Sequence, residues 1–143
     1  MQEHVINKVN LGYEGIDDAF PSVDPNCIPC GSNIVIQLKR SKSTTAGGII
    51  LVGDSKQTEQ WNTQVAKVVR VGPLAYKNRD TMTQWPEGAW VKEGDFVRVP
   101  KYGGDRWTVS IGHGEDDEIH FIMFNDLDVR AIVPNPLSMK AYI

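Results

Sequence analysis

The sequence lacks any long apolar run, which excludes a membrane-spanning helix. No stretch of the 143 residues approaches the run of roughly 18 consecutive apolar residues that such a helix needs. The first ten residues, MQEHVINKVN, also lack the basic start and apolar segment of a signal peptide. We therefore expect a cytoplasmic protein with no membrane partner, located in the host cytoplasm if its source is viral.

Basic residues are not in excess. The chain has 15 Lys and Arg against 18 Asp and Glu, for a net charge of -3. Proteins that bind nucleic acid usually carry clustered Lys and Arg in excess. The sequence therefore argues against a broad phosphate-binding surface, and we expect no nucleic-acid partner.

Cysteine is scarce, with only Cys27 and Cys30 in the motif CIPC. Structural zinc needs four ligands, commonly from two such pairs, and the sequence has no second pair. His113 and His120 would complete a site only through an unusual long-range arrangement. A redox dithiol would need a strand before it and a helix after it, whereas an irregular segment precedes this motif. We predict two incidental cysteines, no metal and no cofactor.

The sequence also lacks a recognisable catalytic apparatus. His4, His113 and His120 are far apart, and no serine lies in a strained, Gly-flanked elbow. Gly47-Gly48 is followed neither by the Lys-Ser/Thr pair nor by the helix of a phosphate-binding loop. The acidic run at residues 115–118 lacks the alternating ligand spacing of a calcium loop. We predict that the protein is not an enzyme.

Short β-prone runs occupy most of the chain from residue 33 onward. They are rich in branched and aromatic residues and are separated by Gly and Pro. This spacing predicts an all-β barrel or sandwich rather than βαβ units. The runs are residues 33–40, 63–72, 94–100, 105–111, 118–124 and 128–133.

Residues 1–30 differ from the rest of the chain in composition and in periodicity. They contain several Gly and Pro residues and no sustained periodicity, which predicts an irregular N-terminal extension with one short helical turn at residues 14–20. Residues 31–143 are predicted to form one β-barrel domain. Its connections at residues 41–62 and 73–91 exceed the ~12–15 residues usual for structureless loops, and such loops tend to be functional.

The first long connection contains the apolar run Ile49-Ile50-Leu51-Val52. Branched residues favour a strand, so local propensity alone supports a core strand. A strand, however, sends alternate side chains to opposite faces, whereas a partner groove can accept neighbouring side chains together. The flanks are too polar to bury, and Gly47-Gly48 keeps the chain pliable. We therefore favour a docking element.

Five motifs, taken in order, resemble those of the GroES-type co-chaperonins, the ring-shaped lids of bacterial chaperonins. The resemblance extends from about residue 29 to residue 133, and Gly-Gly followed by three apolar residues is its most diagnostic feature. The motifs are IVIQLKR, STTAGGIILVGDSKQ, AKVVRVGP, VKEGDFVRVPKYGG and DDEIHFIMFNDLDVRAIV.

The resemblance implies a GroES-like distorted β-barrel with a mobile loop at residues 41–62 and a roof region at residues 73–91. It also implies a homo-heptameric ring in which the first strand of one subunit pairs with the last strand of its neighbour. That interface would contain Ile34, Val35, Ile36, Val129, Ala131, Ile132 and Val133.

The same resemblance implies a function as a chaperonin lid. The lid would cap a GroEL-type chaperonin, which itself binds and hydrolyses ATP, and would close the chamber around an encapsulated client protein. The residues implied to bind the chaperonin are Gly47, Gly48, Ile49, Ile50 and Leu51.

The N-terminal extension and the aromatic roof region depart from ordinary bacterial lids, and we interpret the chain as a diverged relative encoded by a phage or other virus. The alternative is a ring-forming structural or virion protein that keeps the barrel without binding a chaperonin, for which Ile49-Ile50-Leu51 would be dispensable. A subdomain of a medium-chain dehydrogenase would require a Gly-rich βαβ unit, which the sequence lacks.

Overall fold

The computed structural model describes residues 15–40, 65–100, 102–113 and 117–138. The predicted docking residues Gly47, Gly48, Ile49, Ile50 and Leu51 lie outside these ranges. Short 3-10 helices are found at Asp126–Asp128 and Pro136–Ser138. The remaining elements are α1 (Ile16–Ala19), β1 (Asn33–Leu38), β2 (Val65–Val71), β3 (Phe96–Arg98), β4 (Asp105–Ser110), β5 (Glu118–Asn125) and β6 (Ala131–Ile132).

The strands form one six-stranded sheet in the order β4-β5-β1-β2-β3-β6. All of its pairings are antiparallel. Each of the six β-prone runs contributes one strand, so the predicted all-β fold class is confirmed. The short helical turn predicted near residues 14–20 is also present, as α1.

One face of the sheet carries the larger core. In β1, the alternate residues Ile34, Ile36 and Leu38 point into this core, as strand geometry requires. Residues of the connection between β2 and β3 close over the same core. The buried members are Ile34, Ile36, Leu38, Ala66, Val68, Ala75, Tyr76, Val91, Val97, Val99, Ile122, Phe124 and Val129.

The opposite face of the sheet is also buried. Val35, Val69, Ile119 and Phe121 form a second cluster there, and Trp107 stacks on Phe121 with ring centroids 5.8 Å apart. β1 is therefore buried on both sides, whereas its sequence pattern predicts one buried face. The additional cover comes from the N-terminal extension, which strand periodicity cannot reveal.

Residues 15–25, which we call the N-terminal strap, cross this second face. The ring of Phe20 meets that of Phe96 on β3 edge-on, with centroids 5.0 Å apart. The Gln37 side chain on β1 donates a 2.7 Å hydrogen bond to the Pro21 carbonyl. At the far end, the indole N–H of Trp107 on β4 donates to the Pro25 carbonyl at 2.8 Å. The strap therefore spans the sheet from β3 to β4. The domain division at residue 30 stays a prediction.

The predicted roof region contains a small hairpin, closed by a bridge between Lys77 and Gln84. Beneath it, Tyr76 packs against Trp85 and Trp90, with ring centroids 5.5 Å and 5.4 Å away. The Tyr76 hydroxyl donates to the Asp126 carbonyl at 3.0 Å, and the Tyr76 backbone N–H donates to the Asp126 carboxylate at 2.8 Å. The aromatic residues thus join the hairpin to the end of β5.

Candidate functional site

The described residues on either side of the predicted docking segment, residues 41–62, pair with each other in the sheet. Leu38, at the end of β1, pairs with Ala66, near the start of β2. Both side chains are buried in the main core. The chain between them therefore leaves and re-enters the sheet at adjacent positions that packing holds firmly.

The predicted interface residues of the first strand lie inside the subunit. Ile34, Val35 and Ile36 are each 0% exposed. β1 pairs with β2 along one edge and with β5 along the other. A neighbour's strand cannot add to β1 without displacing one of these partners, because both edges already carry a ladder of hydrogen bonds. The assignment of Ile34, Val35 and Ile36 to a subunit interface stays a prediction, and within the subunit β1 has no unpaired edge.

The predicted interface residues near the end of the chain separate into two groups. Val129 and Val133 are buried within the subunit, at 6% exposure each. Ala131 and Ile132 are exposed, and Ile132 reaches 54%. Both belong to β6, which forms one edge of the sheet and pairs only with β3 among the described strands. An edge strand offers unpaired backbone groups to another chain.

A shallow apolar groove of about 510 Å³ lies beside this edge. Leu127, which is 57% exposed, lies within it. The sequence analysis does not single out Leu127, although an apolar residue between two aspartates, in NDLD, is the available signal. The lining residues are Trp90, Leu127, Val129, Arg130, Ala131 and Ile132.

A second exposed apolar residue lies in the irregular segment before β1. Ile28 is 87% exposed, the largest exposure among the exposed large hydrophobic residues of the described chain. It lies between Cys27 and Cys30, both of which are free thiols. A single exposed apolar side chain is common on protein surfaces, so Ile28 alone does not identify a binding site.

The described ranges contain no group of three or more His, Cys, Asp or Glu side chains placed to hold a metal ion. Among the same residues, no helix is long and apolar enough to cross a membrane.

The pKa of His120 is shifted by its surroundings. Burial lowers this pKa, the nearby Glu118 carboxylate opposes the shift, and the Arg106 guanidinium adds to it. At neutral pH this histidine is therefore uncharged.

Comparison with known families accounts for this combination of sheet, edge strand and long connection. The family model for the Chaperonin 10 Kd subunit, Cpn10, matches residues 26–133, more than half of the chain. The chain belongs to this family. As a chaperonin 10 subunit it has the general function of a co-chaperonin, and co-chaperonins of this family are in general non-catalytic chaperones. Family membership also implies a GroEL-type chaperonin as partner and an oligomeric ring.

The family match begins at residue 26, where the N-terminal strap ends. The strap therefore lies outside the part of the chain that the chaperonin 10 family describes. It nevertheless packs on the matched barrel, through the ring contact of Phe20 with Phe96 and the hydrogen bond from the Gln37 side chain to the Pro21 carbonyl. This chain thus carries a chaperonin 10 barrel with an additional packed layer.

Proposed function

We propose that the protein caps a GroEL-type chaperonin ring and closes its chamber for ATP-driven folding of a client protein. The docking contact is assigned to Gly47, Gly48, Ile49, Ile50 and Leu51. The observation that supports this proposal is the pairing of Leu38 with Ala66, which holds the described residues on either side of residues 41–62 at adjacent positions in the sheet. ATP is bound by the chaperonin, in the cytoplasm where both partners would meet.

Physical chemistry favours a weak contact for each subunit. Burying one aliphatic side chain stabilises a complex by roughly 1.5–3 kcal/mol, but ordering the docking segment offsets part of that gain. One segment then binds weakly, whereas several segments on one ring bind as a multivalent set. A lid built in this way binds firmly and still dissociates when its partner changes conformation.

The test is the substitution Ile50→Asp, because a carboxylate is costly to bury in an apolar groove. Binding is measured by co-sedimentation with a chaperonin and ATP, together with the ATPase rate of the chaperonin. We expect Ile50→Asp to abolish both the complex and the effect on the ATPase rate, while the mass of the free ring is unchanged. Thr45→Asp places the same charge in the polar flank and is expected to bind like the wild type.

Two outcomes would contradict the capping function. If Ile50→Asp bound the chaperonin like the wild type, the apolar run would be dispensable, as the alternative of a structural or virion ring predicts. If the wild-type ring bound no chaperonin, including that of the natural host, the proposed capping function would be wrong.

We further propose that the ring, expected to be heptameric, assembles through the β6 edge rather than through β1. The proposed occupant of the groove beside Leu127 and Ile132 is a second copy of this chain, contributing the segment around Ile28. Three observations support this choice: the open edge of β6, the exposure of Ile132 and the exposure of Ile28. Burying these residues in the ring would also explain why a soluble barrel exposes them when alone.

A further inference from the structure

Arg40 is the last described residue before the docking segment, two positions beyond the end of β1. Its backbone N–H donates a 2.7 Å hydrogen bond to the carbonyl of Ala19, the last residue of α1. The backbone at the start of the segment is therefore held by the N-terminal strap and not by another strand.

The side chain of Arg40 makes a second set of contacts. One guanidinium nitrogen lies 3.4 Å from an Asp18 carboxylate oxygen, and the other lies 3.0 Å from an Asp117 carboxylate oxygen. The Arg40 side chain is only 20% exposed. A planar guanidinium that binds two carboxylates on different segments is fixed in direction as well as position. Arg40 thereby joins the strap to the residue that precedes β5.

The strap end of this contact is itself firmly packed. Phe20, directly after α1, is 1% exposed and packs against Phe96 and Leu137. The next residue, Pro21, accepts the hydrogen bond from the Gln37 side chain. Ala19 and Asp18 are thus fixed to the barrel, so contacts to them fix Arg40 as well.

We propose that Arg40 is a positioning residue for chaperonin docking: with α1 it fixes the point and direction in which residues 41–62 leave the barrel. This inference rests on the proposed function. Because the strap lies outside the family match, the device would be an addition to the common chaperonin 10 barrel. Holding the residue before the segment in place lowers the entropy that the segment loses on docking.

The main variant is Arg40→Met, which keeps much of the side-chain length and removes both ion pairs. Fixing the backbone of one residue corresponds to about a fivefold to thirtyfold change in an equilibrium constant. We expect the affinity of each docking segment for the chaperonin with ATP to fall by about tenfold, and that of the multivalent ring by at least as much, mainly in the dissociation rate. Arg40→Lys, a point charge that cannot bind both carboxylates in the same way, should fall between Arg40→Met and the wild type.

Lys92→Met is the matched control, because it removes the Lys92–Asp95 ion pair, 3.1 Å long, at the turn before β3. It should bind the chaperonin like the wild type. Ring mass and thermal unfolding separate positioning from folding: Arg40→Met should retain the ring. A synthetic peptide of residues 41–62 should compete with either ring for the chaperonin. Once the affinity of each ring is taken into account, the inhibition constant of the peptide should be the same for the wild type and for Arg40→Met, because the docking chemistry is unchanged.

Hydrogen exchange in the free protein tests the contact without any chaperonin. The amide of residue 40 should exchange at least about tenfold faster in Arg40→Met, and Asp18→Asn should shift it in the same direction. Unchanged exchange, an unchanged affinity, or an equal loss in Lys92→Met would each overturn the proposal. If the wild type bound no chaperonin, the capping function would fail as well, and the exchange result would show separately whether Arg40 holds this position.

Discussion

Gly72 illustrates how closely the backbone segments approach at the end of the sheet. Its N–H donates to the Asn33 carbonyl at 2.8 Å. A Cβ atom at this position would lie 2.7 Å from that carbonyl oxygen and would also clash with the Gly31 carbonyl oxygen. Both neighbours are backbone atoms, which cannot turn away as a flexible side chain would. Glycine is required at this position because there is no room for a Cβ atom, and not because of an unusual φ angle.

We expect Gly72→Ala to lower the free energy of unfolding by about 1–3 kcal/mol, the usual cost of inserting a group into a packed site. The measurement is urea unfolding of the purified protein. Glu87→Ala, at an exposed position, should stay within about 0.5 kcal/mol of the wild type. Equal stability of Gly72→Ala and the wild type would show that the two segments can separate.

Tyr76 predicts a pH dependence in alkali. Burial raises the pKa of its hydroxyl well above the ordinary value of 10.0, and the Asp126 carboxylate adds to that shift. A raised pKa means that the stabilising contribution is complete below pH 10 and is lost as the pH rises further, because only the unfolded state then ionises.

The corresponding variant is Tyr76→Phe, which removes both the titration and the hydrogen bond to Asp126. Near pH 8 it should be less stable than the wild type by about 1 kcal/mol. Above pH 10 that difference should shrink by up to about 1.4 kcal/mol per pH unit, because only the wild type loses the Tyr76 contribution. Urea unfolding from pH 8 to pH 11 measures both effects, and parallel profiles would rule out this role for Tyr76.

At the scale of elements, the strap is held to the barrel chiefly by Phe20. Phe20→Ala should lower the free energy of unfolding by about 3 kcal/mol, because a nearly buried ring leaves a cavity against Phe96 and Leu137. Met82→Ala removes a large apolar side chain that is 58% exposed and serves as the control. Chemical denaturation provides the comparison, and similar small losses in both variants would show that the strap adds little stability.

The strands were predictable because alternation and β-propensity are local properties. Their ends were less so: residues 128–133 were predicted as a strand, but β6 covers only Ala131–Ile132. The Asn125 N–H donates to the Asp128 carboxylate at 3.1 Å, which stabilises a 3-10 turn and delays the strand. The two-sided burial of β1 was not predictable, because its cover comes from residues distant in sequence.

Among the proposed functional residues, the apolar run at residues 49–52 is visible in the sequence because its flanks are polar. The edge at Ile132 and the contacts of Arg40 are not, since both depend on which strands and segments become neighbours. A strand pattern shows that a residue is apolar but not whether the edge beside it is already paired. The proposal of β6 in place of Ile34, Val35 and Ile36 is based on sheet order, in which β1 lies between β5 and β2 whereas β6 lies at an edge of the described sheet.

At the scale of the whole molecule, the proposed ring predicts the effect of a charge at the β6 edge. Ile132→Glu should convert the ring to monomers, because a carboxylate in the groove would be buried without a partner. Native mass spectrometry or sedimentation measures the change. Ile111→Glu carries the same substitution at an apolar position that is 46% exposed and lies outside the groove. A stable ring in Ile132→Glu would contradict assembly through β6.

The groove beside β6 and the segment around Ile28 are different surfaces of one subunit. Contact between unlike surfaces is head-to-tail, so it lacks the two-fold axis that would limit assembly to a dimer. Each added copy rotates by the same angle, and only that angle decides whether the series returns to its start or continues as a filament. The rotation between neighbouring subunits, and not their affinity, therefore sets the number of subunits. Substitutions that tilt the β6 edge would change the size of the ring before they change the strength of binding between subunits.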